Sequence, residues 1–289
     1  MPMPRPLRIA YTPDSDDAFY YDALETGQVV LPGYRLQFVR EPMNVLNQAA
    51  LQGLCEVTAI SSVLYPQVAD RYAILSAGTS VGRGYGPVLV GRRGRTLGEL
   101  ERARVGVAGL QTTGWFLLRW LCPKAVPVAM AFDRIADAVA AGELDAGVMI
   151  HEELLYYPRL GLERIADLGA AWCRQHNLPL PVGLNVVRRD LGTAGMERVC
   201  AAIRRSLRHA LDHPEPALER VRRFGRGAEG QCTERFVEMF ANRDSLHLAS
   251  DVRAGLRLLF AQVADQGLGT PVPALDIVEG LTATVSEAA

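Results

Sequence analysis

Apolar and polar positions follow one pattern through the first two-thirds of the chain and another beyond residue 194. In the first part, short apolar runs recur without polar alternation: LRIAY (7–11), YRLQFV (34–39), EVTAI (56–60), YAIL (72–75), PVLVG (87–91), RVGVAG (104–109), VPVAMAF (126–132), AGVMI (146–150) and GLNVV (183–187). Runs of this length suit strands covered on both faces. Helical patterns fill the gaps: DDAFYYDALETG stops on Gly27, LNQAALQG follows Pro42 and Asn44, and TTGWFLLRWL and DRIADAVAAGE follow later strands. The alternation predicts α/β layers with mostly parallel sheets. Beyond residue 194, MERVCAAIRRSLRHALDH, EPALERVRRF, TERFVEMFA and SDVRAGLRLLFAQVADQG are amphipathic helices, and no strand is predicted among them.

A length of 289 residues suits two lobes. GRRGRTLGEL (91–100), restarting at Thr96 as an N-cap, and RRDLGTAG (188–195) are the expected crossings between them. They predict a small lobe over 95–188 inserted into a discontinuous large lobe of 1–94 and 189–289. Ligand clefts form preferentially between such lobes. A net charge of −1 with interspersed signs gives no reason to expect nucleic acid or a membrane as partner. The opening MPMPRPLRIAYTP has no long apolar segment or small-residue cleavage site, so the expected location is cytoplasmic. Five scattered cysteines read as reduced thiols, with neither a disulfide framework nor a zinc site.

Three predicted strand exits carry candidate chemistry. In YTPDSDDAF, Asp14, Ser15, Asp16 and Asp17 open a helix. Asp14 or Ser15 as cap, with acids in the first turn, accounts for these residue types. A ligand loop at the carboxyl end of a parallel strand accounts for them too, and an acidic one would receive hydroxyl groups rather than phosphate. In VAGLQTTGWFLL, Thr112 and Thr113 start a helix after Gly109. Backbone N–H groups and hydroxyls there suit an anion such as a carboxylate, although one threonine could simply be the cap. The third exit is AGVMIHEELLYYPRLG, where His151 follows the strand and Glu152 could orient its ring. A histidine in an apolar setting is often structural. His151 nevertheless shares a lobe and a strand-exit position with Thr112 and Thr113, and a group titrating near neutrality suits a general base. His176 falls in a polar loop, and His209, His213 and His247 fall in the helical tail. SAGTSVGRGYGP (76–87) reads as a mobile loop and Arg83 as a solvated side chain.

The succession TPDSDDAF, LNQAALQG, TAISSVLYPQVADRY, VGRGYGP, QTTGWFLL, FDRI, AGVMIHEELLYYPRLGL, DLGAAW and LPLPVGLNVVRRDLG resembles the menaquinone-biosynthesis proteins of the futalosine route, in order from about residue 7 to 270. The resemblance implies an α/β, two-lobe, periplasmic-binding-protein-like (type II) fold. A ligand cleft would lie between the lobes, and the C-terminal segment would be helical. It implies a carbon–carbon lyase that opens cyclic dehypoxanthine futalosine to a dihydroxynaphthoate without metal or organic cofactor. The family's proton-accepting histidine falls on His151, its paired substrate-binding threonines on Thr112 and Thr113, and a further substrate-contacting triplet on Ala59, Ile60 and Ser61. Asp17 is expected to assist. The family's first loop resembles Ser-Pro-Cys-Pro-Asn-Asp-Thr-Phe, and its triplet begins with lysine where Ala59 stands here. The expected partner is a small-molecule carboxylate, and the expected state a monomer or homodimer. A non-catalytic carboxylate binder of the same fold and a related pathway enzyme such as chorismate dehydratase are the alternatives.

Overall fold

The computed structural model describes residues 3–224, 230–272 and 274–280. The parts of the expected large lobe at 1–2, 225–229, 273 and 281–289 lie outside the described residues. The chain forms two sheets. The first contains β1 (Arg5–Tyr11), β2 (Tyr34–Arg40), β3 (Val57–Ser61), β4 (Tyr72–Leu75) and β5 (Ser80–Gly82). The second contains β6 (Val88–Arg92), β7 (Arg104–Val107), β8 (Val126–Ala129), β9 (Ala146–Met149) and β10 (Leu162–Asp167). The chain then returns to the first sheet with β11 (Leu180–Arg188) and β12 (Ile277–Val278). The strand orders are β12-β4-β11-β3-β1-β2, with β5 beside β11, and β10-β6-β9-β7-β8.

Every expected strand is present, shifted at its ends by up to three residues. β1 lies between β2 and β3, parallel to both. Leu7, Ile9 and Val57 are fully buried there, with the helices Ser15–Glu25 and Gly192–Asp212 covering this part of the sheet. The sheets are mixed rather than mostly parallel. β11 runs antiparallel to β3, β4 and β5, and β6 runs antiparallel to β9 and β10. Each of these two strands abuts a crossing between sheets, which reverses its direction against its neighbours.

Sheet membership differs from the expected lobe of 95–188 at both ends. β6 belongs to the second sheet although it precedes residue 95, and β11 belongs to the first although it precedes residue 189. The crossings therefore fall at 83–87 and 168–179. GRRGRT merely turns the chain within the second sheet, through a capping box at Thr96 and Glu99. The strands missed by periodicity are short or half-exposed. β12 has two residues and gains its ladder only by lying parallel to β4, and β10 is an edge strand with a bulge against β6. His176 ends the helix Leu168–His176 rather than lying in a loop, packed between Trp120 and Trp172.

The two crossings touch. VGRGYGP is not a free loop: Leu168 N donates to Pro87 O at 2.9 Å, and Gly84 N donates to Cys173 Sγ at 3.3 Å. Arg83 points away from the cleft and holds Asp244 and Asp251. A Cβ on Gly169 would lie 2.2 Å from Tyr85 O and 2.5 Å from Gly86 N, so only glycine admits this approach. Gly169→Ala should therefore lower the unfolding free energy in urea by about 3 kcal/mol, the upper end for overpacking. Gly98→Ala, with nothing within 4 Å of its added methyl, should leave it within about 0.5 kcal/mol. An unchanged midpoint for Gly169→Ala would show that the crossing can yield.

Candidate active site

Between the two sheets lies a cavity of about 690 Å³. Its walls include all seven expected site residues: Asp17, Ala59, Ile60, Ser61, Thr112, Thr113 and His151. The first sheet contributes the exits of β1 and β3 and the middle of β11, and the second contributes the exits of β7 and β9. Phe236 and Phe240, on the helix Gly230–Phe240, close an apolar wall. The sequence pattern showed only that this helix is amphipathic, not that its apolar face borders a cavity.

His151 stands two residues beyond β9 with φ at +54°, a left-handed conformation that a side-chain-bearing residue holds at a cost of about 1–3 kcal/mol. The turn aims the ring across the cleft. Its Nδ1 lies 2.7 Å from Asp14 Oδ2, with side chains 12% and 2% exposed. Phe132 packs edge-on, its ring centroid 4.8 Å away. Burial lowers the imidazole pKa, but the Asp14 carboxylate, followed by Glu153 and Glu152, more than offsets this and raises it to about 9. Nδ1 lies against the Asp14 carboxylate, and Nε2 is the other ring nitrogen.

The acid against the ring is Asp14 and not Glu152. Glu152 Oε1 instead accepts from the backbone N–H of Ser15 at 3.1 Å and from its hydroxyl. Asp14 occupies the N-cap position of the helix Ser15–Glu25, yet its side chain makes no capping hydrogen bond. Side-chain capping therefore does not account for Asp14, although Asp16 and Asp17 do occupy the first turn. Asp17 Oδ2 accepts from Thr12 N at 2.9 Å and Oγ1 at 2.7 Å, and Asp16 Oδ2 accepts from Ser80 Oγ at 2.9 Å. Burial lifts Asp17 to about 6, helped by Asp14 and opposed by the Thr12 hydrogen bonds. Asp16 is pushed well above the ordinary carboxylate range by burial, then by Asp17 and Asp14. Among the described residues, the charged groups lining the cavity are Asp16, Asp17 and His151, with neither lysine nor arginine.

The threonine pair behaves differently from expectation. Thr112 caps its helix: Oγ1 accepts from Trp115 N at 3.2 Å and donates to Gly109 O at 2.8 Å. Thr113 Oγ1 donates to Val182 O at 2.7 Å, across the cleft. Both hydroxyl protons are spent inside the protein. What remains for an anion is the first backbone N–H groups of the helix Thr113–Leu121. Gly114 lets that helix approach β9, since a Cβ there would sit 3.0 Å from Val148 Cγ1. Ser61 is held from both sides by Asn47: Ser61 N donates to Asn47 Oδ1 at 3.0 Å, and Asn47 Nδ2 donates to Ser61 Oγ at 3.1 Å. Its own hydroxyl proton is then available to the cavity. Ala59 and Ile60, both buried, contribute wall rather than charge. Asn47, which holds Ser61, and the lining residues Ser80, Phe236 and Phe240 were not anticipated, because no spacing rule marks a polar residue behind the cavity or an aromatic in a helical stripe as part of a site. Among the described residues, no group of three or more His, Cys, Asp or Glu is arranged to hold a metal ion.

Two sheets facing each other across such a cleft define a protein of the periplasmic-binding-protein fold. The alkanesulfonate-binding protein of Xanthomonas axonopodis pv. citri shares it at a TM-score of 0.75 and 14% identity, covering 97% of this chain and 100% of that one. A crystal structure of an Archaeoglobus fulgidus protein matches at 0.87 and 39% identity, over 91% of this chain and 98% of that one. Residues 7–265 match the family model described as menaquinone biosynthesis. The 1,4-dihydroxy-6-naphthoate synthase of Thermus thermophilus is 39% identical over 267 residues, 92% of this chain and 97% of that protein. The chain belongs to the menaquinone-biosynthesis family, and its relatives support an enzyme with a role in that pathway. Among the described residues no helix is long and apolar enough to cross a membrane.

An acid whose folded pKa lies above its unfolded value weakens the fold as pH rises between the two. For Asp17 that window runs from about 4 to about 6. Asp17→Asn keeps an acceptor for Thr12 and removes the charge. It should be more stable than the parent by on the order of 2–3 kcal/mol at pH 8, with the gap closing below pH 4. Thermal unfolding of both proteins across that range checks the sign, and a gap that widens in acid would refute it.

Proposed function

We propose that the protein is a carbon–carbon lyase that opens cyclic dehypoxanthine futalosine to 1,4-dihydroxy-6-naphthoate, with His151 as proton acceptor. The observation that carries this reading is the meeting of His151, the helix start at Thr113 and the hydroxyl of Ser61 in one cavity. The aromatic carboxylate of the substrate fits the backbone N–H groups at the helix start. Its ring fits the wall of Phe236, Phe240, Leu154 and Ile150, and its sugar-derived hydroxyls face Asp16 and Asp17. Among the described residues the lining carries no lysine or arginine, which suits a helix terminus, rather than a side-chain cation, as receiver of the carboxylate.

In the cleavage, a substrate hydroxyl gives its proton to His151 Nε2. The O–H electron pair becomes the second bond of a new carbonyl, and the adjacent carbon–carbon bond breaks. Its electrons pass into the ring fragment as an enolate, which takes up a proton to give the dihydroxynaphthoate. The sugar-derived fragment leaves as the carbonyl product. Ser61 is placed to donate to the developing oxyanion, an interaction that strengthens in the transition state.

Only neutral imidazole accepts a proton, and a pKa of about 9 leaves roughly one molecule in a hundred in that form at pH 7. For naphthoate formation, kcat/KM should therefore rise with pH, reach half its maximum at about 9 and level off above it. His151→Asn should lower turnover by about 10²–10⁴-fold and retain substrate binding in a thermal-shift assay. Wild-type protein that binds cyclic dehypoxanthine futalosine without releasing naphthoate would overturn the lyase reading in favour of a binding module. Turnover of chorismate in its place would favour the other enzyme of the pathway.

A further inference from the structure

Asp14 and His151 stand 137 positions apart and approach from opposite sides of the cleft. Asp14 leaves the first sheet at the end of β1, and His151 leaves the second at the end of β9. A second tie lies beside them, where Ser15 donates through its backbone and its hydroxyl to Glu152. Two consecutive residues of one loop therefore bind two consecutive residues of the other. Asp14 does so at the expense of its helix, because its carboxylate stands in the N-cap position and leaves the side-chain cap unmade.

We propose that Asp14 is the positioning residue of His151: it accepts the proton of Nδ1, fixes that tautomer, and turns Nε2 to the cavity. The proposal rests on the reading of His151 as the proton acceptor. Its geometry stands independently, in a 2.7 Å contact between two nearly buried side chains. Without an acceptor at Nδ1 the neutral ring can carry its proton on Nε2, where it has no lone pair to take another. The edge of Phe132 limits the ring from the side of the helix Phe132–Ala140, and the left-handed backbone at residue 151 fixes the direction from which the ring enters.

The groups around the imidazole define what removing Asp14 changes. Asp14 faces it from the loop after β1, Asp16 and Asp17 lie on the helix Ser15–Glu25, and Glu152 and Glu153 follow it in the chain. Among the described residues no lysine or arginine lines the shared cavity. Asp14→Asn removes the anion that touches Nδ1 and leaves the other four carboxyl groups in place. Asn also offers an NH₂ donor that favours the wrong tautomer.

Asp14→Asn should reduce kcat by about 10²–10⁴-fold with KM changed less than about threefold, the pattern of a lost base tautomer rather than lost binding. The acid limb of the kcat/KM profile should move to lower pH, because a raised imidazole pKa needs the carboxylate beside it. Ser15→Ala, which removes the hydroxyl half of the neighbouring tie and spares Asp14, should leave that limb in place. The deciding measurement does not use turnover: ¹⁵N NMR of the His151 ring in the ligand-free protein reports tautomer and titration midpoint directly. A midpoint at least one pH unit lower in Asp14→Asn than in wild type, with Ser15→Ala unmoved, supports the positioning role. A His151 midpoint and tautomer unchanged in a folded Asp14→Asn protein overturn it, whatever the substrate. If the midpoint shifts while wild type fails to cleave cyclic dehypoxanthine futalosine, the lyase reading falls and the Asp14–His151 pairing stands.

Discussion

Five carboxyl groups, from Asp14, Asp16, Asp17, Glu152 and Glu153, are buried around one imidazole, and none of them is fully solvated. Isolated buried charge is among the most costly features a fold can carry, so each group needs a partner. Thr12 supplies two hydrogen bonds to Asp17, Ser80 supplies one to Asp16, Ser15 binds Glu152, and His151 pairs with Asp14. Two of these four arrangements join residues from different sheets. The apposition of the sheets and the tolerability of the acids are therefore one problem. Where the charge is not fully offset, it appears as carboxyl groups driven toward their neutral form and an imidazole driven toward its charged one.

The apposition itself is secured by backbone packing at the crossings. Gly86 and Gly169 let the outgoing and returning segments lie against each other, and Leu168 N bonds Pro87 O across the junction. The C-terminal helices then complete the cleft, with Phe236 and Phe240 forming one wall. The same scaffold serves the alkanesulfonate-binding protein, at an identity too low to carry function. A shared fold does not fix what its cleft does, because function resides in the residues placed there.

The helix start at Thr113 shows how a local signal can be right in place and incomplete in detail. Gly109, two threonines and an apolar helical run marked a helix N-terminus beside the cleft, and that is where it lies. The hydroxyls do not face a ligand, because Thr112 satisfies the helix and Thr113 bonds Val182 on the opposite sheet. The second of these depends on β11 having returned to the first sheet, which nothing near residue 113 records.

Local pattern determined the strands whose both faces are covered and the helices with a continuous apolar stripe, because burial on a repeating face leaves a periodic trace. It also determined that His151 and Thr112 stand beyond strand ends, since a strand exit is a property of a few consecutive residues. Which lobe β6 and β11 join, and whether the short segments at 80–82, 162–167 and 277–278 become strands, was decided by their neighbours in space. The orientation of the imidazole was decided the same way. Glu152 is adjacent in sequence and Asp14 is 137 positions away, yet the turn at His151 sends the ring across the cleft to Asp14 and leaves Glu152 to Ser15. Apolar periodicity records that a face is buried. It does not record which distant group will meet it there, because that contact exists only once both sheets have packed.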